Sequence, residues 1–271
     1  GEPGKHDEPQ HITQGAATLS QLETLNIPYR ILPTDEDVAK KDLDITQKSL
    51  QENGVYALVV RKNTFSENET MQKDEARKQL SLSREDAVRQ IASSLHARSV
   101  VVSTTGKTSR ELFEYRADTN QIQKDFLMVG SMGHASQIAL GIAIQKPNRQ
   151  VYCFDGDGAM LMHMGSLAVI GSYAPKNFRH VILNNSAHDS VGGQPTPINN
   201  LDIPALARAC GYEAKCAKTE QELTDALVWL QNSDAPALLE VRVKKGARKD
   251  LGRPTQTSLQ NKASFMKHLA G

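Results

Sequence analysis

Aromatic side chains are scarce, at 5% of 271 residues with a single Trp. A surface that reads nucleic acid by stacking needs more of them. The formal net charge is only +1, so no global field draws in nucleic acid or an anionic membrane. Cysteine is scarcer: Cys153, Cys210 and Cys216 are odd in number and lack metal-type spacing. Cys153 lies inside an apolar run and reads as a small core residue. That usage excludes a disulfide framework and fits a reducing, cytoplasmic setting. No window approaches the roughly 20 apolar residues that span a bilayer, and no signal peptide is visible. An initiator methionine is absent too. The chain opens "GEPGKHDEPQH", in polar loop chemistry, and we expect the natural polypeptide to begin upstream.

What is present is ordinary in bulk: 39% hydrophobic and 23% charged residues, with length for one large or two small domains. Residues 12–26 carry apolar positions at helical spacing, and "IPYRIL" (27–32) reads as a strand. Asp35 can cap a second helix that ends near Gly54. "VYALVVRK" (55–62) is a β-branched run typical of a buried strand. The polar stretch 63–82 follows as a linker.

A second alternation begins at the capping pattern Ser83-Arg84-Glu85-Asp86. It predicts helices over 84–97, 109–117, 134–145, 159–174, 203–210 and near 219–232. Strands are predicted at 99–104, 150–155, 180–185 and 237–243, with an extended segment at 125–131. Strands separated by helices imply an α/β fold, with parallel sheets flanked by helices. Residues 246–271 read as a basic, polar tail with a short helix at 259–269. The expected organisation is therefore a partial first domain over 1–62, a linker over 63–82, a second domain over 83–245 and the tail.

One stretch resists a packing explanation. In "FDGDGAMLMHMGSLAVIG" (154–171) an apolar run stops at Asp155-Gly156-Asp157-Gly158 and restarts with methionines. Ligands of open α/β sheets bind beyond the carboxyl ends of the strands, where this segment falls. Glycine there lets the backbone approach a ligand, and a helix starting near Ala159 would offer N–H groups to an anion such as a diphosphate. A carboxylate beside an anion repels it unless a cation lies between, so Asp157 points to a divalent metal. Magnesium takes about six oxygens, several from water or phosphate. Asn184-Asn185, after "HVIL", sits at a neighbouring strand end. A side-chain oxygen there and the carbonyl of Ala187 could complete the protein's share. Met160, Met162 and Met164 are expected to pack the helix, and His163 to be structural.

"STTGKTS" (103–109) is not a P-loop, since Val101 stands where its first Gly is required, and no GxGxxG follows a strand.

Gly156-Asp157-Gly158, then 25 residues, then Asn184-Asn185 resembles the metal motif of the thiamine diphosphate enzymes. "GSMGHA" (130–135) is similar to the segment that precedes it. Within that superfamily, "GEPGKHDEPQH", "STTGKTSRELFEYR", "GSMGHASQIALGIA" and "NNSAHDSVGGQPT" resemble the phosphonopyruvate decarboxylases, over nearly the whole chain. The resemblance implies a thiamine diphosphate-binding fold, with residues 1–62 as the back half of a pyrimidine-binding domain and 83–245 as the diphosphate-binding domain. Asp157, Asn185 and Ala187 would hold Mg²⁺. Thr104, Gly130, Ser131, Met132, Gly133, His134, Gly156, Gly158 and Ala159 would line thiamine diphosphate, with Met132 propping its bent shape. Ser186-Ala187 stand where a Gly-containing pair is expected.

The implied activity is that of a carboxy-lyase of phosphonate metabolism. It would decarboxylate a small 2-oxo acid, 3-phosphonopyruvate, to phosphonoacetaldehyde and CO₂. Sulfopyruvate as substrate, or a cofactor-binding subunit with no activity of its own, are the alternatives. Lys107 and Arg110 are either the cations that meet the anionic head or solvated charges. His188 and Asp189 either close over the substrate or only shape their loop, and His134 either caps its helix or faces the substrate. The family's activating glutamate belongs to a front half that residues 1–62 do not include, and Glu2 sits in the wrong loop context. A homo-oligomer with the cofactor at a subunit interface is implied as well, with neither nucleic acid nor membrane as partner.

Overall fold

The structure is a computed structural model and describes residues 1–5, 7, 9–66 and 80–271. Most of the expected linker, 67–79, lies outside the described residues. The chain divides into two compact units, Gly1–Lys73 and Asp74–Gly271.

The first unit contains α1 (Pro9–Thr24), β1 (Tyr29–Ile31), α2 (Glu36–Asn53) and β2 (Ala57–Val59). Both signals at the ends of α2 act as the sequence suggests. The Asp35 carboxylate accepts the Val38 N–H at 2.9 Å, and Gly54 closes the helix at φ +73°. Strands β1 and β2 pair in parallel, Tyr29 opposite Ala57. The run 55–62 does not make the buried strand its composition suggests. Only three residues pair, all half-buried, and Val55 and Val60 stand 47% and 49% exposed. Two short strands are too few to enclose a β-branched run.

The second unit holds a six-stranded sheet. Its strands are β3 (Val100–Ser103), β4 (Phe126–Leu127), β5 (Val151–Gly156), β6 (Phe178–Asn184), β7 (Glu213–Ala217) and β8 (Ala237–Arg242). The order is β4-β3-β5-β6-β8-β7, parallel throughout. Successive residues of each strand serve opposite faces. Val101, Tyr152, Phe154, Val181 and Leu239 pack into a core with α3 (Arg84–Ser94), α4 (Lys107–Asp118) and α9 (Glu220–Asn232). Val102, Cys153, Ile182 and Leu238 pack into the opposite core with α5 (Ala135–Gln145), α7 (Ser166–Tyr173) and α8 (Ile203–Ala209). Cys153 is the core residue it was read to be, and burial pushes its thiol pKa up.

Three expectations need correction. The helix expected over 159–174 is broken into α6 (Asp157–Met162) and α7, with His163–Gly165 between them. Of its methionines only Met160 packs inside; Met162 and Met164 are 57% and 40% exposed. Strand β7 was not anticipated, because "EAKCA" has no apolar run and pairs only with β8 at the sheet edge.

The third correction concerns the stretch from 246. Its helix α10 (Ser258–Ala270) is part of the sheet's packing and carries a capping box between Thr257 and Gln260. Phe265 is buried edge-on against Phe126, with centroids 5.3 Å apart. The Asn261 amide accepts the Leu127 N–H at 3.1 Å and donates to the Asp125 carbonyl at 2.9 Å, so it pairs the free edge of β4 as a strand would. Among the described residues no helix is long and apolar enough to cross a membrane.

Candidate active site

After β3 the chain steps outward to β4 and then returns to the other side of β3 with β5. This reversal is the switch point of the sheet, and clefts for ligands open there above the carboxyl ends. Thr104 follows β3, Asp157 follows Gly156 at the end of β5, and Asn185 follows Asn184 at the end of the next strand, β6. The register, Gly156 opposite Leu183, sets the ends of β5 and β6 side by side, and the Asn185 backbone N–H donates to the Asp157 carboxylate. Asp157 and Asn185 are 2% and 4% exposed.

The two aspartates of the motif part company. Asp155 turns into the core: its Oδ2 lies 3.3 Å from His180 Nε2 and 3.8 Å from Cys153 Sγ. Asp157 stands at the rim. Burial pushes its pKa above the usual carboxylate value. The Thr196 hydroxyl, then the backbone N–H groups of Asp157 itself and of Asn185, then His188, oppose that push. No lysine or arginine forms an ion pair with Asp157 among the described residues. A buried carboxylate held by neutral donors is a fit for a cation.

The asparagine pair divides its work. Asn184 Nδ2 donates to Glu240 at 2.8 Å, while its oxygen accepts the Ser186 N–H at 3.0 Å and hydroxyl at 2.9 Å. These bonds hold Ser186 at φ +50°, a left-handed conformation that glycine adopts freely. They explain how a serine serves where a glycine was expected. Asn185 Oδ1 accepts the Ala187 N–H at 3.1 Å, and Nδ2 donates to Asp189 at 2.6 Å. The loop then folds back: His188 N–H donates to the Gln194 carbonyl at 2.8 Å and Thr196 N–H to Ser186 at 3.0 Å. Thr196 thus arrives at Asp157, a partner that sequence reasoning missed although it lies in the "SVGGQPT" signature.

Other expected residues converge on the same rim. A Cβ on Gly158 would lie 2.7 Å from the His188 ring and 3.1 Å from the Met132 methyl, so these three meet. A Cβ on Gly106 would meet Ser190 Oγ at 2.7 Å, which joins the loop after β3 to the loop after β6. Gly130 takes φ +73° and its N–H donates to Thr105 Oγ1 at 3.1 Å. Cβ atoms on Gly130 or Gly156 would enter open space. The hydroxyl of Thr104 is buried with no hydrogen-bond partner among the described residues. Ala159 lies buried in α6, and Gly133 packs so closely on its carbonyl that a Cβ would lie 2.8 Å away. A buried hydroxyl, open space over two glycines and a buried carboxylate without a lysine or arginine partner among the described residues together fit a metal-bound diphosphate. The sequence placed its anion site on a long helix; the six residues of α6 supply at most a short one.

The remaining candidates separate. Lys107 opens α4, half-buried, at the helix end where the dipole disfavours a cation, and Arg110 follows one turn later, also half-buried. His134 is exposed; its ring lies tilted against His163 with centroids 4.2 Å apart, and Nδ1 lies 3.2 Å from the Ser131 carbonyl, so it closes its own turn. Asp189 is not a free acid or base. Its side chain is 6% exposed, and Oδ2 accepts from Asn185, from the Gly246 N–H at 2.9 Å and from Arg84 at 3.2 Å. A cavity of about 680 Å³ runs beside Ser131 and His134, lined by Met128, Val129, Leu259 and Lys262, and Asp157 is not among its lining residues.

Residues 102–241 match the thiamine pyrophosphate enzyme family, in its C-terminal TPP binding domain. A phosphonopyruvate decarboxylase of Streptomyces viridochromogenes is 36% identical over 95% of this chain and 67% of its own length. A sulfopyruvate decarboxylase subunit beta of Methanococcus maripaludis is 41% identical over 47% of this chain and 66% of its own. The benzoylformate decarboxylase of Polynucleobacter necessarius shares the fold, with TM-score 0.53 and 18% identity over 72% of this chain and 39% of that one. The chain spans about two thirds of the length of the phosphonopyruvate decarboxylases it matches. With a family match covering half its length and its relatives named as decarboxylases, the chain belongs to the thiamine pyrophosphate enzymes, alongside the phosphonopyruvate decarboxylases.

Proposed function

We propose that this chain binds thiamine diphosphate with Mg²⁺ and decarboxylates 3-phosphonopyruvate to phosphonoacetaldehyde. The observation that carries this reading is Asp157: a buried carboxylate without an ion-pair partner among the described residues, beside Asn185, where a diphosphate would need a cation. Asp157, Asn185 Oδ1 and the Ala187 carbonyl would be the protein ligands of the metal, with water and phosphate completing the six. Thr104, Gly130 and Gly156 would leave room for the cofactor, and Met132 would support it. Thiamine diphosphate, when bound, supplies the electron sink through which a 2-oxo acid loses CO₂.

The chain's own residues would bind, orient and shield. Lys107 and Arg110 would meet the anionic head of the substrate. His188, over Gly158, would sit at the mouth and exclude water. A second copy of the chain would complete the cofactor site, in keeping with a homo-oligomer.

A second reading has its own support. The Methanococcus relative is 41% identical and is named a subunit of sulfopyruvate decarboxylase. Sulfopyruvate differs from phosphonopyruvate only in its anionic head, and a subunit would need a companion chain. Turnover of both acids by the full-length protein, with thiamine diphosphate and Mg²⁺, decides between them. Faster release of CO₂ from phosphonopyruvate supports our reading. Preference for sulfopyruvate reverses it, and binding of cofactor without any turnover favours the subunit.

A further inference from the structure

Arg84, Glu111, Asp189 and Asn185 form a buried chain of contacts that ends at the metal position. Arg84 is the first residue of α3 and Glu111 lies in α4. Their side chains are 6% and 1% exposed and meet in a two-pronged pair: Nε to Oε2 and Nη2 to Oε1, both 2.8 Å. Burial works against the Arg84 charge, but Glu111 and then Asp189 outweigh it and leave its pKa raised. The third prong, Nη1, reaches Asp189 Oδ2 at 3.2 Å, and that oxygen takes Asn185 Nδ2 at 2.6 Å. The segment after β8 closes the arrangement, since Gly246 donates its N–H to Asp189 and its carbonyl lies 3.5 Å from Arg84 Nη2.

An asparagine amide has two unlike ends. One donates two protons and the other accepts, and only the oxygen can bind a cation. A carboxylate accepts only. Asp189 therefore fixes the NH₂ of Asn185 toward itself and leaves Oδ1 pointing the other way. Ala187 N–H donates to that oxygen and helps to fix its direction. Asp189 can do this only while held in place, and Arg84, locked by Glu111, holds it. The pull of a carboxylate on the NH₂ also polarises the amide and makes its oxygen a stronger ligand.

We propose that Glu111 and Arg84 act through Asp189 as positioning residues that set the orientation of Asn185 toward the metal. This rests on the reading of Asn185 as a metal ligand, so the test separates the two. Calorimetry measures Mg²⁺ binding to the full-length protein with thiamine diphosphate, and electron spin resonance of free Mn²⁺ provides a second probe. Asn185→Ala tests the ligand itself. Asp189→Asn keeps the shape and removes the charge that selects one end of the amide. Arg84→Lys keeps the charge and removes the fork, and the melting temperature without metal shows whether each variant is folded.

The expected result is a loss of metal affinity of roughly 10- to 100-fold for Asp189→Asn and a smaller loss for Arg84→Lys. On the Asn185→Ala background, Asp189→Asn should lower affinity no further, because its route to the metal is gone. A merely structural role predicts equal losses on both backgrounds and would overturn the inference. So would unchanged affinity in Asp189→Asn and Arg84→Lys while Asn185→Ala binds poorly; the ligand reading would then survive. If Asn185→Ala itself binds metal as well as the parent, both readings fall together.

Discussion

The two units of this chain use the same local grammar and reach different results. Both alternate helices with parallel strands. In the second, six strands lie between two layers of helices, and every apolar residue of β3, β5 and β6 is buried. In the first, two three-residue strands pair. Leu32 is the large apolar side chain buried there among the described residues, while Ile12, Leu25, Val60 and Phe65 stand 49–69% exposed. Burial of apolar area is the main favourable term in folding, and it requires a second surface to cover the first. The difference teaches that a β-branched run makes a strand, but only a saturated sheet makes it a core.

The comparison can be attacked at its strong end. Phe265→Ala in α10 should destabilise the second unit by about 3–5 kcal/mol, read by chemical denaturation, because it opens a hole against Phe126. A cost below about 1 kcal/mol would mean that α10 is not part of that core. The site lies in the same unit, so Asp157→Asn should weaken Mg²⁺ binding by about a hundredfold or more by calorimetry. It should leave the metal-free melting temperature level or higher, since it relieves a buried carboxylate.

At the weak end, Leu32→Ala should cost about 2 kcal/mol, the low end for such truncations. Hydrogen exchange should then quicken over 27–59 and stay unchanged over 100–103.

A pH effect of smaller size sharpens the picture. Burial, and then the charges of Arg149 and Lys124, lower the pKa of His268 against the pull of the Ser99 carbonyl. Between that lowered value and the ordinary value of about 6.5, only the unfolded chain takes up the proton. Stability therefore rises with pH through this window and is lost as pH falls. Denaturation midpoints at pH 7 and pH 5 should differ more for the parent than for His268→Gln. Least of all, Val60→Ser at the exposed end of the first unit should change stability by no more than about 0.5 kcal/mol.

Much of the candidate site's placement in the fold was legible because its signals are local. Asp157-Gly158 and Asn184-Asn185 stand at strand ends, and strand ends can be read from apolar runs that stop. Met132 and His188 come with segments of distinctive composition, and the structure brings both to Gly158. What escaped reading was long-range. Thr196 reaches Asp157 across 39 positions and Arg84 reaches Asp189 across 105, with no periodicity to announce either. A cation at the first position of a helix runs against the dipole, and Arg84 sits there. That conflict was the one local hint that it answers to something else. Strand β7 escaped because an edge strand needs no apolar run. The break between α6 and α7 escaped because methionines and glycines satisfy a helical pattern without specifying that it continue.

By itself, then, the sequence determined the alternation of helices and strands, the capped ends of α2 and α3, and the positions of carboxylate and amide at two strand ends. Those follow from backbone preferences and from the spacing of apolar residues, which act within a few positions. Only the tertiary structure decided that Asp155 turns into the core while Asp157 keeps the rim, that Asp189 is an anchor, and that the last helix seals the edge of the sheet. Each of those depends on which distant group arrives opposite a side chain once the sheet has closed, and burial then fixes whether a charge must be paired or neutralised.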